Sequence, residues 1–231
     1  MGGLGPLVMS DLIRTRRLSK LKLHTKVAVT TTLALIAIGT AGYFLLEYTN
    51  TLRPFNIWAK IGTSFFQSVT TRTAGFQSVD LGLIHTPTAI MMMILMFIGG
   101  TPFSAAGGIK VTTFIVVLMF VYSTLRDDDH TTLFNRTIKP KTIAKAITVT
   151  SVSLIFVLTV TFIVSCLNET TPFIKVIFEV VSAFGTVGLS MNFTTEYHTL
   201  TKAIIIIVMI CGKLGCLLYT SPSPRDRQKS R

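Results

Sequence analysis

Two stretches of this chain are near-copies of one another, and each is apolar yet too short to cross a bilayer. The first, Ser64 to Leu81, reads SFFQSVTTRTAGFQSVDL, and the second, Ile177 to Asn192, reads IFEVVSAFGTVGLSMN. Setting Gly75 on Gly188 also sets Thr73 on Thr186, Phe76 on Leu189 and Phe65 on Phe178. Each copy closes on a Thr-x-Gly turn and has a long apolar segment on either side. Such a chain is constrained to repeat one plan: a membrane helix, a short segment that enters and leaves on one side, and a second membrane helix.

The composition agrees. Only 14% of the 231 residues are charged and 49% are hydrophobic, where soluble domains carry about 25% charged residues. The net charge of +12 does not imply a nucleic-acid partner. The basic residues cluster between apolar segments, where lysine and arginine mark cytoplasmic loops. Cys166, Cys211 and Cys216 lack CxxC spacing and lie in or beside apolar runs, so they read as packing residues. His24, His85, His130 and His198 are scattered without metal-ligand spacing.

Met1 to Asp11 is glycine-rich and apolar, and reads as the end of a preceding unit. Arg14, Arg16, Arg17, Lys20, Lys22 and Lys26 form a solvated juxtamembrane cluster against membrane lipid. Residues 1–26 are thus the end of one repeat and a cytoplasmic linker. Residues 27–125 form a second unit. It begins with the uncharged run Val27 to Leu46, long enough to span a hydrocarbon core of about 30 Å. Asn56 is placed to cap a short helix from Ile57 to Val69. Thr88 to Leu125 is apolar, but one helix of that length would reach about 57 Å. GGTPFSAAGGIK, at Gly99 to Lys110, interrupts it with four glycines and a proline. Irregular backbone at membrane depth is tolerated where it is buried or lines a cavity, so this interruption is a gate or pathway candidate.

Residues 126–145 read as a cytoplasmic loop, with Asp127 to Asp129 a solvated turn. Residues 146–215 form a further unit. In it Thr171 and Pro172 are placed as N-cap and first residue of a short helix ending near Phe184. Lys202 to Leu214 begins a last span. With both basic clusters on the cytoplasmic side, the number of crossings between them is even, so the short Ile57 to Val79 segment is re-entrant. The fold class is an all-α membrane protein.

A dehydrated alkali ion needs oxygens in place of its water, and rings of backbone carbonyls supply them in potassium channels. A turn that presents successive carbonyls to one axis requires a residue free of Cβ sterics. Thr73-Ala74-Gly75-Phe76 and Thr186-Val187-Gly188-Leu189 fit that logic. The short helices before them direct their negative ends toward the cavity, which favours a cation.

These stretches, with GGLG at Gly2 to Gly5 and GKLG at Gly212 to Gly215, resemble the Trk/Ktr/HKT superfamily of potassium transporters. The resemblance is strongest to the bacterial Ktr-type membrane subunit and covers nearly all of Met1 to Gly215. It implies four helix–pore-loop–helix repeats around one pore, of which this chain holds the tail of the second, the third and most of the fourth. It implies that Gly75 and Gly188 are filter glycines, with Thr73, Ala74, Thr186 and Val187 supplying neighbouring carbonyls. Gly99, Gly100, Pro102, Ser104, Gly107, Gly108 and Lys110 would belong to an intramembrane gating loop. Lys213 would add a positive barrier where the family usually has arginine; Phe103 and Ala105 stand where glycine and threonine are usual, and Pro6 replaces an aromatic. The implied assembly is a homodimer docked on a cytoplasmic nucleotide-binding regulatory ring. It uses no cofactor, carries K+ as cargo, and in many members depends on Na+. Two other classes are a non-conducting membrane scaffold and the potassium-binding subunit of an ATP-driven pump. No P-loop or phosphorylation motif is present in the chain, which does not read as an enzyme.

Arg72 reads as a brace for the short helix ahead of a contact with the pore. Lys110 reads as an ion sensor, as a partner of loop carbonyls or as a snorkelling side chain, and Glu179 as a buried structural acid rather than a proton carrier. The Met91 to Met96 stretch reads as apolar filling. Residues 216–231, CLLYTSPSPRDRQKSR, read as an adapter-derived tail rather than native sequence, the alternative being a genuine basic tail.

Overall fold

The computed structural model describes residues 2–15, 23–102, 104–127, 130–134, 136–193 and 198–220. Arg16, Arg17, Lys20, Lys22, Phe103, Asp128, Asp129 and the end of the tail lie outside the described residues, as does the side chain of Cys216.

After a short 3-10 turn and helix α1 (Gly5–Thr15) comes α2 (Leu23–Glu47). At 25 residues it is about 37 Å long, and its composition suits a membrane crossing. Helix α3 (Ile57–Thr70) follows. The Asn56 carboxamide oxygen accepts from the Ala59 N–H at 2.9 Å, the N-cap expected from sequence. With 14 residues, α3 reaches only about 21 Å, short of a bilayer core. The apolar run beyond it is indeed two helices, α4 (Thr86–Phe97) and α5 (Val111–Leu125), with Pro87 in the first turn of α4. A two-stranded hairpin, β1 (Thr132–Leu133) and β2 (Arg136–Thr137), leads to α6 (Pro140–Leu167), a second helix long and apolar enough to cross. Helices α7 (Phe173–Phe184) and α8 (Thr199–Thr220) are the last elements among the described residues.

One cap differs from expectation. Pro172, not Thr171, is the N-cap of α7. Its ψ of 129° is still extended, while its carbonyl already accepts from Lys175 N and Val176 N. The helix therefore begins one residue later than the Thr-Pro pair suggests.

Helix α7 sits at the centre, packed on α4, α6 and α8. Val176 and every residue from Phe178 to Phe184 are buried. Helix α7 buries mostly apolar side chains, with Glu179 and Ser182 the polar exceptions. Its side chains join Tyr43, Leu81, Met92, Met96, Val157 and Leu189 in the main core. Helix α3 is turned the other way. Ser64, Gln67, Ser68 and Thr70 are buried while Trp58 is 79% and Phe65 54% exposed. On α6, Ile155 and Phe162 are likewise 65% and 69% exposed. Large apolar faces turned outward while polar groups turn inward suit a lipid surround.

The end of α2 is pinned to the start of α4 by a buried acid. The Glu47 carboxylate accepts from Asn50 Nδ2 at 2.7 Å, Thr51 Oγ1 at 3.0 Å, His85 N at 2.9 Å and Thr88 Oγ1 at 2.6 Å. His85 N belongs to the helix N-terminus of α4, where negative charge is stabilised.

Candidate pore-loop site

Both Thr-x-Gly turns adopt the same unusual backbone. Thr73 and Gly75 have φ of +69° and +74°, and Thr186 and Gly188 have +51° and +90°. The left-handed region costs an ordinary residue about 1–2 kcal/mol, and a β-branched threonine there is an outlier. The same strain at equivalent positions of two copies is not a local accident.

The first turn is held by Thr70. Its hydroxyl accepts from Phe76 N at 2.8 Å and donates to Phe76 O at 2.7 Å. The Ala74 N–H bonds Thr70 O at 3.2 Å. In the second copy, the Glu179 carboxylate on α7 accepts from Ser190 Oγ and, at 3.2 Å, from Met191 N. Glu179 is thus a structural acid behind the chain that leaves the turn. Gln67 plays a related part in the first copy, donating from Nε2 to Ser78 Oγ at 3.0 Å.

The fold brings the two turns face to face. A Cβ on Gly75 would lie 2.2 Å from the Val187 carbonyl oxygen, whereas one on Gly188 would meet only Gly75 Cα at 3.8 Å. Thr73, Gly75 and Thr186 are half-buried, Val187 and Leu189 buried, and Ala74, Phe76 and Gly188 exposed. Beyond the turns the copies are laced together: Gln77 Nε2 donates to Ser190 O at 2.8 Å and Asn192 Nδ2 to Asp80 Oδ1 at 2.7 Å.

The interruption between α4 and α5 packs against the second turn. Its neck is a parallel bridge between Ile98 and Ile109. Gly99 N donates to Ile109 O at 2.7 Å and Ile109 N to Phe97 O at 3.0 Å. Gly107 N donates to Thr186 Oγ1 at 2.9 Å, and a Cβ on Gly107 would lie 2.7 Å from that oxygen. Gly99, Gly100, Gly107, Gly108 and Lys110 are buried, while Pro102 and Ser104 are half-buried. The Thr101 and Ser104 hydroxyls are buried without a hydrogen bond among the described residues. Lys110, only 1% exposed, donates to Ala106 O within the same loop. Arg72 Nη1 donates to Ile98 O at 3.0 Å, bracing the first turn on the loop's neck. Lys213 is not buried with these groups; it is exposed on α8.

Sequence reasoning located both turns and the interruption. It missed Thr70, Gln77, Asp80 and Asn192, whose roles depend on which backbone groups the fold brings near.

A family model described as TrkH, a cation transport protein, matches residues 12–222. The chain is 42% identical over 231 residues to Ktr system potassium uptake protein B of Bacillus subtilis, covering 99% of this chain and 52% of that protein. The protein of the same description from Vibrio alginolyticus is 40% identical over 220 residues, covering 94% of this chain and 48% of its own length. The potassium/sodium uptake protein NtpJ of Enterococcus hirae is 37% identical over 224 residues, covering 94% and 49%. Among solved structures, the potassium transporter TrkH from Vibrio parahaemolyticus matches with a TM-score of 0.75 at 15% identity, covering 96% of this chain and 50% of that one. At that identity the likeness is one of fold. The chain spans about half the length of the curated relatives it matches.

Proposed function

Because the chain belongs to the TrkH family of cation transport proteins and is a multi-pass plasma-membrane protein, we propose that it is the C-terminal half of the ion-conducting subunit of a K+ uptake system. The observation that carries this reading is the pair of left-handed Thr-x-Gly turns set face to face, with Gly75 against Val187 O. Backbone oxygens of Thr73, Ala74, Gly75, Phe76, Thr186, Val187, Gly188 and Leu189 replace the water shell of a passing K+. The ion moves down its electrochemical gradient with no chemistry done on it. In the full protein two further loops close the ring, giving four repeats.

Below the second turn the loop containing Gly99, Gly100, Pro102, Ser104, Gly107, Gly108 and Lys110 acts as the gate. Its hydrogen bond from Gly107 to Thr186 supports a gate that senses the state of the filter. Lys213 contributes the positive barrier on the cytoplasmic side. The working assembly is a homodimer on a nucleotide-binding ring, and Na+ modulates uptake.

The test is growth of a K+-uptake-deficient bacterium at low K+. The full-length protein restores growth, while this chain alone, with two of four loops, does not. Gly188→Ser in the full-length protein abolishes rescue or K+ preference. Full rescue with Gly188→Ser, at normal membrane abundance, contradicts the filter.

A further inference from the structure

We propose that the lacing between the two copies, Gln77 to Ser190 and Asn192 to Asp80, sets the spacing of the two turns and so the choice among alkali ions. The proposal rests on the filter reading and names positioning residues, because neither contact involves a turn carbonyl. Gln77 and Ser190 each lie two residues beyond the glycine of their own turn. The Gln77 side chain reaches the backbone of its counterpart in the other copy, at 2.8 Å.

Each contact is anchored to a rigid part of its own copy. Ser190 and Met191 are held by Glu179 on the buried helix α7. Asp80 Oδ1 accepts from Gly82 N at 2.8 Å and caps the 3-10 turn Leu81–Leu83, whose Leu81 is fully buried. The lacing therefore joins two bodies rather than two loose loops. The backbone also makes room for it. Asn192 lies in the left-handed region at φ +61°, which asparagine tolerates better than most residues. A Cβ on Gly82 would sit 2.9 Å from Asn192 Nδ2. Selection by a carbonyl filter depends on cavity size and on the number and field of its oxygens, so moving one turn relative to the other alters it.

An alternative source of the same effect is the charge of Asp80 alone, which concentrates cations at the mouth. The reciprocal exchange Asp80→Asn with Asn192→Asp separates the two. It preserves the hydrogen bond and the net charge while moving the carboxylate to the other copy.

The experiment measures K+ over Na+ preference in proteoliposomes of the full-length protein, by uptake of a K+ tracer against competing Na+. Asn192→Ala, Gln77→Ala and Gly82→Ala are each expected to lower the preference about threefold to tenfold, the range one net hydrogen bond supports. The reciprocal exchange is expected to return it to within about twofold of wild type, less than half a net hydrogen bond. All these positions except Gly82 are exposed, and thermal unfolding of each variant reports whether the fold is kept. Wild-type preference in all three single variants, with Gly188→Ser still collapsing it, overturns the lacing proposal and leaves the filter intact. Failure of the exchange to restore preference also overturns it, in favour of the Asp80 charge. Wild-type preference in Gly188→Ser overturns the filter reading itself.

Discussion

In the first copy the turn after α3 is clamped by the Thr70 hydroxyl; at the equivalent position of the second copy stands Ala183, and Glu179 on α7 holds the outgoing chain instead. The same exchange of means recurs where the flanking helices meet. The register that sets Gly75 on Gly188 sets Thr88 on Thr201. Thr88 Oγ1 is held by Glu47 at the end of α2, and Thr201 Oγ1 by Asn168 Nδ2 just past the end of α6, at 2.9 Å. Gly99 likewise falls on Gly212, yet α4 stops at Phe97 while α8 runs through Gly212. What the copies share is backbone conformation, the left-handed threonine and glycine. What they do not share is the side-chain means of holding it, or the continuity of the following helix. The turn is the constant part of the two copies, and the break in the following helix is confined to the first.

The largest effect should come from the turn glycines, and it should be unequal. Gly75→Ala adds a Cβ 2.2 Å from Val187 O at φ +74°, while Gly188→Ala adds one with no atom nearer than 3.8 Å at φ +90°. Both carry the left-handed penalty of about 1–2 kcal/mol, but only the first carries a backbone clash. K+ uptake by the full-length protein should fall about 100-fold for Gly75→Ala and about tenfold for Gly188→Ala, each factor of ten being about 1.4 kcal/mol. Equal losses would break the asymmetry between copies.

Next comes the pair of helix clamps. Glu47→Ala strands the buried Thr88 hydroxyl and the part-buried donors of Asn50, Thr51 and His85, and should destabilise the protein by about 2 kcal/mol, whereas Asn168→Ala, which loses neutral bonds, should cost about 1 kcal/mol. Thermal unfolding in detergent checks both, and a larger loss from Asn168→Ala would reverse the ranking. The smallest effect belongs to the turn clamp. Thr70→Val removes both bonds to Phe76 and should slow uptake about fivefold, equivalent to about 1 kcal/mol. Ala183→Thr, at a buried position, should not raise uptake, because the second turn is held through Glu179. A gain of function from Ala183→Thr would show that the second copy lacks a clamp it can use.

Much of this was legible in the sequence, for identifiable reasons. The short helices showed as apolar runs too brief to cross, and Asn56 marked a helix start because an N-cap bond is local, spanning three residues. The break at Gly99 to Lys110 showed because glycine and proline act through the backbone wherever they stand. Helix α3 could not be oriented from its pattern, since its polar side is the buried one. Glu47 gave little sign of its role, as its His85 and Thr88 partners lie about forty residues away and meet it only after α2 and α4 pack. The lacing between copies was hidden for the same reason, with its partners more than a hundred residues apart.

The most direct test is a crystal structure of the full-length protein with Rb+ in place of K+, located by its anomalous scattering. The account requires a peak on the axis between the turns, coordinated by backbone oxygens from both Thr73–Gly75 and Thr186–Gly188. A peak coordinated elsewhere, or Gly75 and Gly188 on opposite sides of protein density with their carbonyls paired in helices, would contradict it.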